Sequence, residues 1–457
     1  MTTARPGPTR MLAAALAAVA GLAFLATGCR RDGDVPPAPN IVIIVIDTLR
    51  ADKMSAYGFP RPTSPDLDQL AAGGVRFATV IAQSSWTRPS LGSMLTSRYP
   101  RSVGIYKEQL HTLDGRFDTL AESLQAAGYT TVGSTANPNI NSSFGFAQGF
   151  EHYLDSDVLW SWMDQEPGKR SSTLDPLPTA GEVFAGVLER IDEHGAPPYY
   201  LQLTVMEVHE SRRVFVRRRV DPTLFADDPV HEYLQALHLV SGEIGEFVRT
   251  LSGRPGWRNS LFVITSDHGE GLIDHPDVTA STGHGDLLYE SQLVVPLILY
   301  HPAGGLPAGT IIDDRVRLLD LMPTLLDYAG VTAPAAMEGR SLLPLIRNEG
   351  TVSLPEHFIV ETERKVSEKI GVYTQAWKYI ENRDRHGGTN PIELQAFGTI
   401  ENGALTDVGN RHADVIMKLG AVVSDWERAH PKAPPVLQGE AISPAEREQL
   451  RSLGYID

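Results

Sequence analysis

The sequence predicts an α/β fold: a large mixed, mostly parallel sheet flanked by helices, with a small C-terminal α+β subdomain. Three observations predict it. Short apolar runs rich in β-branched residues show no alternation, as strands buried on both faces do. These runs alternate along the chain with segments of helical periodicity, the signature of strands joined by helical crossovers. Several of the runs end in Asp, Glu or His, and ligands bind beyond the carboxyl ends of strands in open α/β sheets.

The 457 residues, 42% of them hydrophobic, allow one large catalytic domain plus a smaller one. The net charge of −16 argues against nucleic acid as a partner, because phosphate backbones bind Lys and Arg.

At the N-terminus, Arg5 and Arg10 flank the start of an apolar run that ends in "LATGC". A basic stretch, an apolar stretch and small residues form a secretory signal. The end of the run resembles a bacterial lipobox, with Ala26 where Leu is the stronger choice. The expectation is a signal peptide over 1–29, ending at a lipidated Cys29, then a Pro-containing tether over 30–39. A catalytic domain over 40–350 and a C-terminal subdomain over 351–457 follow. The chain is then exported and lipid-anchored to a bacterial cell-envelope membrane, facing the periplasm or exterior. An uncleaved membrane helix is the alternative. No disulfide framework is possible, since Cys29 is the single cysteine.

"IVIIVID" reads as a buried strand ending in Asp47. "SPDLDQLAAGG" reads as a helix, with Ser64 as cap, Pro65 in the first turn and Gly73 at the stop. "SSWTRPSLGSMLTS" places Pro89 in the first turn of another helix, with Thr87 at its entry and Trp86 packing. "FDTLAESLQAAGYTTVGS" is a helix, a Gly stop and a strand. "PPYYLQLTVMEVHE" carries a strand ending near Glu207 and His209. "YLQALHLVSGEIGEFVRTL" is helical, and "SLFVITSDHGEG" is a strand ending in Asp267. "RLLDLMPTLLDYAGV" is a helix stopped by Gly330. Beyond Leu354, "HFIVETE" and "IGVYTQAWKYIEN" suggest antiparallel strands, and "SPAEREQLRSLGYI" a closing helix.

The chemistry gathers at three strand ends: Asp47, Glu207 with His209, and Asp267 with His268. Two carboxylates and an imidazole from Asp47, Asp267 and His268 suit zinc or manganese better than calcium or magnesium, which prefer all-oxygen shells. At the helix entry, unpaired N–H groups and the positive dipole end favour an anion. A hydroxyl coordinated by a divalent cation loses its proton more readily and becomes a nucleophile. Thr87 is so proposed as attacker and metal ligand, in competition with Ser85 and Ser90. A plain helix cap is the bland alternative for Thr87. Ser90 is assigned to backbone or substrate. His275 and His284 follow in one loop, where Gly283 and Gly285 let the chain bend. Either can reach the substrate, and for His275 a surface-loop histidine is the alternative.

"NIVIIVIDTLRADKMSAYG", "SSWTRPSLGSMLTSRYP", "VMEVHE", "FVITSDHGEGLIDH", "GHGDLLYESQLVVPLILY" and "RLLDLMPTLLDYAGV…MEGRSLLPLI" resemble, in order, the sulfatase family of the alkaline phosphatase superfamily. The likeness runs from about Asn40 to Ile346, and more loosely to "LRSLGYID". It implies an alkaline-phosphatase-like sheet and a metal held by Asp47, Asp267 and His268. It implies a nucleophile at Thr87, active-site histidines at His209 and His284, and substrate contacts from Arg50.

Departures from the family pattern bear on the chemistry. Sulfatases proper oxidise a cysteine or serine at the nucleophile position to formylglycine. Thr87 cannot become an aldehyde because its β-carbon carries a methyl group. Leu91 stands where the family has Arg, Thr48 where calcium-type enzymes have a second metal aspartate, and His268 where they have Asn. A threonine nucleophile is similar instead to the phosphotransferases and phosphodiesterases of the superfamily. A second metal would need a further Asp-x-x-x-His set. Asp227 with His231 has that spacing but reads as a polar loop, so a single metal is expected.

The expected function is metal-dependent hydrolysis or transfer of phosphate or sulfate esters through Thr87, with His209, His284, Arg50, Ser90 and His275 serving the substrate. The anionic ester could belong to a glycan or a lipid headgroup. A true sulfuric ester hydrolase and a non-catalytic binding lipoprotein are the alternatives. The arginines of "ESRRVFVRRRV", from Arg212 to Arg219, read as a solvated basic loop rather than an anion-binding rim.

Overall fold

The strand Asn40–Ile46 is buried along its whole length, and its alternate residues feed two separate cores. Ile41, Ile43 and Val45 pack with Leu91, Leu124 and Leu321 on one face of the sheet. Val42, Ile44 and Ile46 pack with Leu67, Val183 and Leu234 on the other. A strand with helices on both faces has no polar side, and this is why the run shows no alternation. Helices Thr87–Thr96, Leu120–Ala126 and Leu321–Ala329 cover the first face. Helices Pro65–Gly73, Ala180–Glu193 and His231–Ser252 cover the second.

The computed structural model describes residues 38–106, 111–159, 177–193, 198–275, 282–349, 352–364, 367–383, 391–398, 411–437, 442–453 and 455. The signal segment, Cys29 and most of the tether lie outside these residues. From Pro39 onward the chain forms one compact unit.

Among the described residues the main sheet has eight strands. Their spatial order is Thr310–Ile312, Val75–Phe77, Leu297–Tyr300, Ser260–Thr265, Asn40–Ile46, Tyr199–Val205, Thr130–Thr135 and His152–Leu154. Asn40–Ile46 pairs in parallel with Tyr199–Val205 and Ser260–Thr265. Thr130–Thr135 continues the parallel run between Tyr199–Val205 and His152–Leu154. Leu297–Tyr300 runs antiparallel to both of its neighbours, which makes the sheet mixed.

The local signals act largely as read. Thr119 caps Leu120–Ala126 in a reciprocal capping box with Glu122, and Gly330 ends Leu321–Ala329 at φ 68°. Ser64 sits in the cap position of Pro65–Gly73 without capping it through its side chain. Its hydroxyl bonds Asp68 at 2.8 Å instead.

The C-terminal region is a four-stranded antiparallel sheet, Phe358–Arg364, Ser367–Tyr373, Trp377–Asn382 and Ile392–Ala396. Helix Ala413–Ala429 packs on it through Leu419 and Val423. That helix is absent from the sequence-based expectation. The closing helix, Pro444–Ser452, is where the sequence puts it.

Candidate active site

The parallel strands deliver four side chains to one edge of the sheet. Asp47 follows Ile46 directly, Asp267 and His268 follow Thr265, and Asn137 follows Thr135 in an irregular turn. Thr48 takes the left-handed conformation at φ 59°, which costs a non-glycine residue about 1 kcal/mol. The reversal is held by the Tyr233 hydroxyl donating to the Thr48 carbonyl at 2.8 Å and by Leu49 N–H donating to Ser266 Oγ at 2.8 Å.

Thr87 meets this edge from the opposite direction. It is the first residue of helix Thr87–Thr96, after Trp86 in the extended N-cap position. Thr87 is therefore not the cap, and its side chain is available to the site. Its Oγ1 lies 3.3 Å from His268 Nε2 and 3.5 Å from Asn137 Nδ2. Asn137 Nδ2 also donates to Asp47 Oδ2 at 2.5 Å. The amide thus ties the hydroxyl to the first-strand carboxylate.

The state of His268 follows from its bonds. Its Nδ1 faces the Gly269 carbonyl at 2.8 Å. A carbonyl only accepts, so Nδ1 carries the proton and Nε2 presents a lone pair. Burial lowers the pKa of His268 and keeps the ring neutral. That lone pair faces Asp267 Oδ2 at 3.3 Å and Asp47 Oδ1 at 3.8 Å. Neither carboxylate oxygen has a hydrogen-bond partner among the described residues, and Asp47, Asp267 and His268 are all fully buried. Burial, and next the Asp267 charge, raise the pKa of Asp47. One ligand atom from each of the three lies within 4.8 Å of the others. Buried acceptors converging without donors are the electrostatics of a cation site. The donor set fits a divalent metal.

Two more histidines extend the row. The His284 ring lies 4.6 Å from that of His268 and 5.0 Å from that of His209. Glycines flank His284 at φ 90° (Gly283) and 92° (Gly285), and Glu270 Oε2 lies 3.3 Å from its Nδ1. His209 Nδ1 is 2.6 Å from Glu210 Oε1, while its Nε2 has no partner among the described residues. Burial opposes the charged imidazolium, but Glu210 outweighs it and raises His209 to about 9. His209 is thus a proton donor near neutral pH. Burial pushes Glu270 up to about 7, against the pull of His209 and His268. A cavity of about 280 Å³ opens beside His209 and Glu270, walled by Arg212, Tyr233, Leu272 and Ile273.

A family model for sulfatases matches residues 39–331. The chain belongs to the sulfatase family. As a member of this family within the alkaline phosphatase superfamily it is an ester hydrolase. A second model, for the C-terminal region of N-sulphoglucosamine sulphohydrolase, matches residues 284–396. A sulfatase of Formosa agariphila is 23% identical over 413 residues, covering 76% of this chain and 79% of its own. Arylsulfatase A of Bos taurus is 27% identical over 379 residues, covering 73% of this chain and 72% of its own. The solved phosphonate monoester hydrolase of Silicibacter pomeroyi superposes with a TM-score of 0.67 at 17% identity, covering 87% of this chain and 96% of that one. It shares the fold.

The geometry of this sulfatase-family chain brings Asp47, Thr87, Asp267, His268, His209 and His284 together. Glu207, read as part of the same set, lies elsewhere. Its Oε1 accepts from Ala180 N–H at 2.6 Å and Arg219 Nη1 at 3.0 Å, so it anchors the start of a helix. Arg50 does not offer the substrate contact expected of it, and Ser90 takes the backbone alternative rather than the substrate one. Arg50 is fully buried and bonds Asp52 at 2.8 Å, Asp274 at 3.1 Å and the Glu270 carbonyl at 3.0 Å. Ser90 Oγ donates to the Asp267 carbonyl at 2.6 Å. Both donate to backbone carbonyls of the Asp267–Glu270 turn and so hold its shape. His275 is neither a surface residue nor in contact with the three-histidine row: it is buried edge-on against Tyr289 at 4.9 Å.

The arginine loop is not simply solvated. Arg213 pairs with Glu210 at 2.6 Å, Arg219 bridges Glu207 and Glu243, and Arg212 pairs with Glu232 at 3.2 Å. Asp227 is an exposed residue paired with Arg61, as a polar loop predicts. Sequence reasoning missed Asn137, Glu210 and Glu270. The strand-end rule applied to "TTVGSTANPN" points to Asn137, since it leaves the sheet beside Asp47.

Proposed function

We propose that this chain hydrolyses or transfers phosphate-type or sulfate esters at a divalent metal held by Asp47, Asp267 and His268, with Thr87 as nucleophile. The observation that supports it most is the Thr87 hydroxyl, 3.3 Å from His268 Nε2, among carboxylate oxygens that lack donors. When bound, a divalent cation would lower the pKa of the Thr87 hydroxyl and offset charge on the transferring group. The mixed nitrogen and oxygen donor set favours zinc or manganese. Thr87 serves as a ligand in the same reading.

Thr87 Oγ1 attacks sulfur or phosphorus, and the bond to the leaving oxygen breaks. Asn137 Nδ2 steadies the attacking oxygen, and the N-terminus of helix Thr87–Thr96 faces the anionic group. His209, charged near neutral pH, passes a proton from Nε2 to the leaving oxygen. His284 stands between His209 and His268 and is the second candidate for that transfer. Water then attacks the threonine ester and frees Thr87, and an alcohol in its place would give transfer. Because Thr87 cannot form an aldehyde, phosphate-type esters are preferred over sulfate. Relatives named for sulfated sugars, such as the Δ4,5-hexuronate-2-O-sulfatase of Bacteroides thetaiotaomicron, support an anionic ester on a glycan. The cavity walled by Leu272 and Ile273 suits the alcohol portion, and a lipid headgroup is the second candidate.

The test is turnover of bis-4-nitrophenyl phosphate and 4-nitrophenyl sulfate, with and without a chelator. Turnover of the phosphate ester is expected, lost on chelation and restored by Zn²⁺ or Mn²⁺. Turnover of sulfate alone overturns the substrate preference. Turnover indifferent to chelation removes the metal. No turnover and no bound metal favour a binding lipoprotein.

We also propose export and anchoring through a lipidated Cys29, with the domain limits given by the sequence. Fatty-acid labelling in a bacterial host is expected to mark the wild type and not Cys29→Ser. A wild type that takes up no label counts against the anchor.

A further inference from the structure

Tyr455 is 6% exposed, and its hydroxyl has no hydrogen-bond partner among the described residues. A phenol in a core normally finds a partner. This one is held in place with care. Helix Pro444–Ser452 is capped by Ser443, whose Oγ accepts from Glu446 N–H at 3.0 Å. Ser443 Oγ also donates to Asp157 at 2.9 Å, and Ser156 Oγ donates to Gln449 Oε1 at 2.7 Å. Arg213 Nη2 donates to the Ser452 carbonyl at 2.6 Å. The chain then folds back, with Tyr455 N–H donating to the Leu450 carbonyl at 3.0 Å.

These bonds tie Tyr455 to the candidate active site from two sides. Arg213 also holds Glu210, the partner of His209. The Arg364 guanidinium lies 5.4 Å from the centre of the Tyr455 ring and donates to the His284 carbonyl. Gly285 has room for Arg364 because it lacks a Cβ, which would sit 2.4 Å from Arg364 Cδ. The charged groups acting on the hydroxyl include Arg364, Asp47, Asp267 and Glu210. Burial pushes the phenol far above its ordinary value, so it keeps its proton at any working pH.

We infer that the Tyr455 hydroxyl is a substrate-binding donor, giving a hydrogen bond to an anionic oxygen of the sulfuryl or phosphoryl group bound beside Thr87. The inference rests on the ester-hydrolase reading and extends it to a residue from the far end of the sequence. A neutral donor is what an anion needs there, since the neighbouring side chains Asp47 and Asp267 are acceptors. The contact is present in the bound ground state, so it is read by affinity for a simple anion.

The experiment compares wild type with Tyr455→Phe, both as full metal-loaded chains. It measures Kd for orthophosphate by titration calorimetry, kcat/KM for the two nitrophenyl esters, and Tm. Phenylalanine keeps the ring and removes only the unpartnered oxygen, so an unchanged or higher Tm is expected. Loss of a hydrogen bond to a charged group is expected to raise Kd about 10- to 100-fold, with kcat/KM falling by a similar factor. The Kd ratio decides. An equal Kd in the two proteins makes Tyr455 a packing residue, whatever kcat/KM does, and overturns the inference. So does a wild type that binds no orthophosphate. If wild type binds the anion but turns over neither ester, the reaction assigned to the site falls, and the Kd ratio still judges Tyr455.

Discussion

Thr87→Ala is expected to lower ester turnover by about 10⁴- to 10⁶-fold, the range seen when a nucleophile is deleted from a covalent mechanism. The variant should fold normally. Thr87 is the first residue of its helix and does not cap it, and alanine is well tolerated in a helix. The loss is therefore chemical rather than structural, and an unchanged Tm checks this. In wild type, intact mass after brief exposure to the nitrophenyl esters should show one added 4-nitrophenyl phosphoryl group from the diester or one sulfuryl group from the sulfate, absent from Thr87→Ala. Thr87→Ser keeps the attacking oxygen and should retain much of the activity. Turnover that survives in Thr87→Ala means that water attacks instead, or that Ser85 or Ser90 does. Ser90 is the less suited of the two, since its hydroxyl already donates to the Asp267 carbonyl.

Asp47→Asn is expected to act in opposite directions on function and on the metal-free protein. Burial and the Asp267 charge raise the pKa of Asp47 in the fold. The folded state then holds a proton that the unfolded chain releases at ordinary carboxylate pH. By linkage, metal-free stability is highest below that ordinary value and falls as pH rises through it toward the raised one. Asparagine removes this dependence. At neutral pH the chelated variant should exceed chelated wild type in stability by at least about 1.4 kcal/mol, the equivalent of one pKa unit. Metal affinity should fall more than about 100-fold, because even indirect partners of a ligand are worth about 10- to 100-fold. Activity should fall with it. Denaturation of chelated and metal-loaded samples, with metal content measured on each, checks both arms. A chelated variant less stable than chelated wild type, with metal content intact, sinks the cation-site reading.

The sequence makes the centre of this molecule legible and its margins obscure. Asn40–Ile46 and Ser260–Thr265 stand out because burial on both faces leaves an unbroken apolar run, and Tyr199–Val205 stays legible although Gln202 and Thr204 interrupt it. Val75–Phe77 and His152–Leu154 span three residues each, too short for any period to emerge. Glu207 shows the limit of reading strand ends. Glu207 and His209 are two residues apart, and a continued strand would place both on one face. The strand ends at Val205 and the chain turns, so Glu207 faces Ala180 and Arg219 while His209 faces His284. Arg50 shows a second limit. An arginine near a metal aspartate suggests an anion contact, but only the fold reveals Asp52 and Asp274 already beside it. Tyr455 lies far from the other site residues in sequence, and tertiary folding alone brings it near them.

The central strand also sets the order in which the molecule can form. Asn40–Ile46 finds its two neighbours only across 159 and 220 residues, as the bonds from Tyr199 N–H to Asn40 Oδ1 and from Asn40 Nδ2 to Ser260 Oγ record. Until those segments emerge from the ribosome, six consecutive β-branched apolar residues have no partner, the pattern that seeds intermolecular pairing. Contacts of such range slow folding. Synthesis of this chain therefore leaves a strongly apolar segment waiting through 159 residues for its first neighbour. A holding chaperone on the nascent chain, or delivery across a membrane before folding begins, meets that kinetic demand.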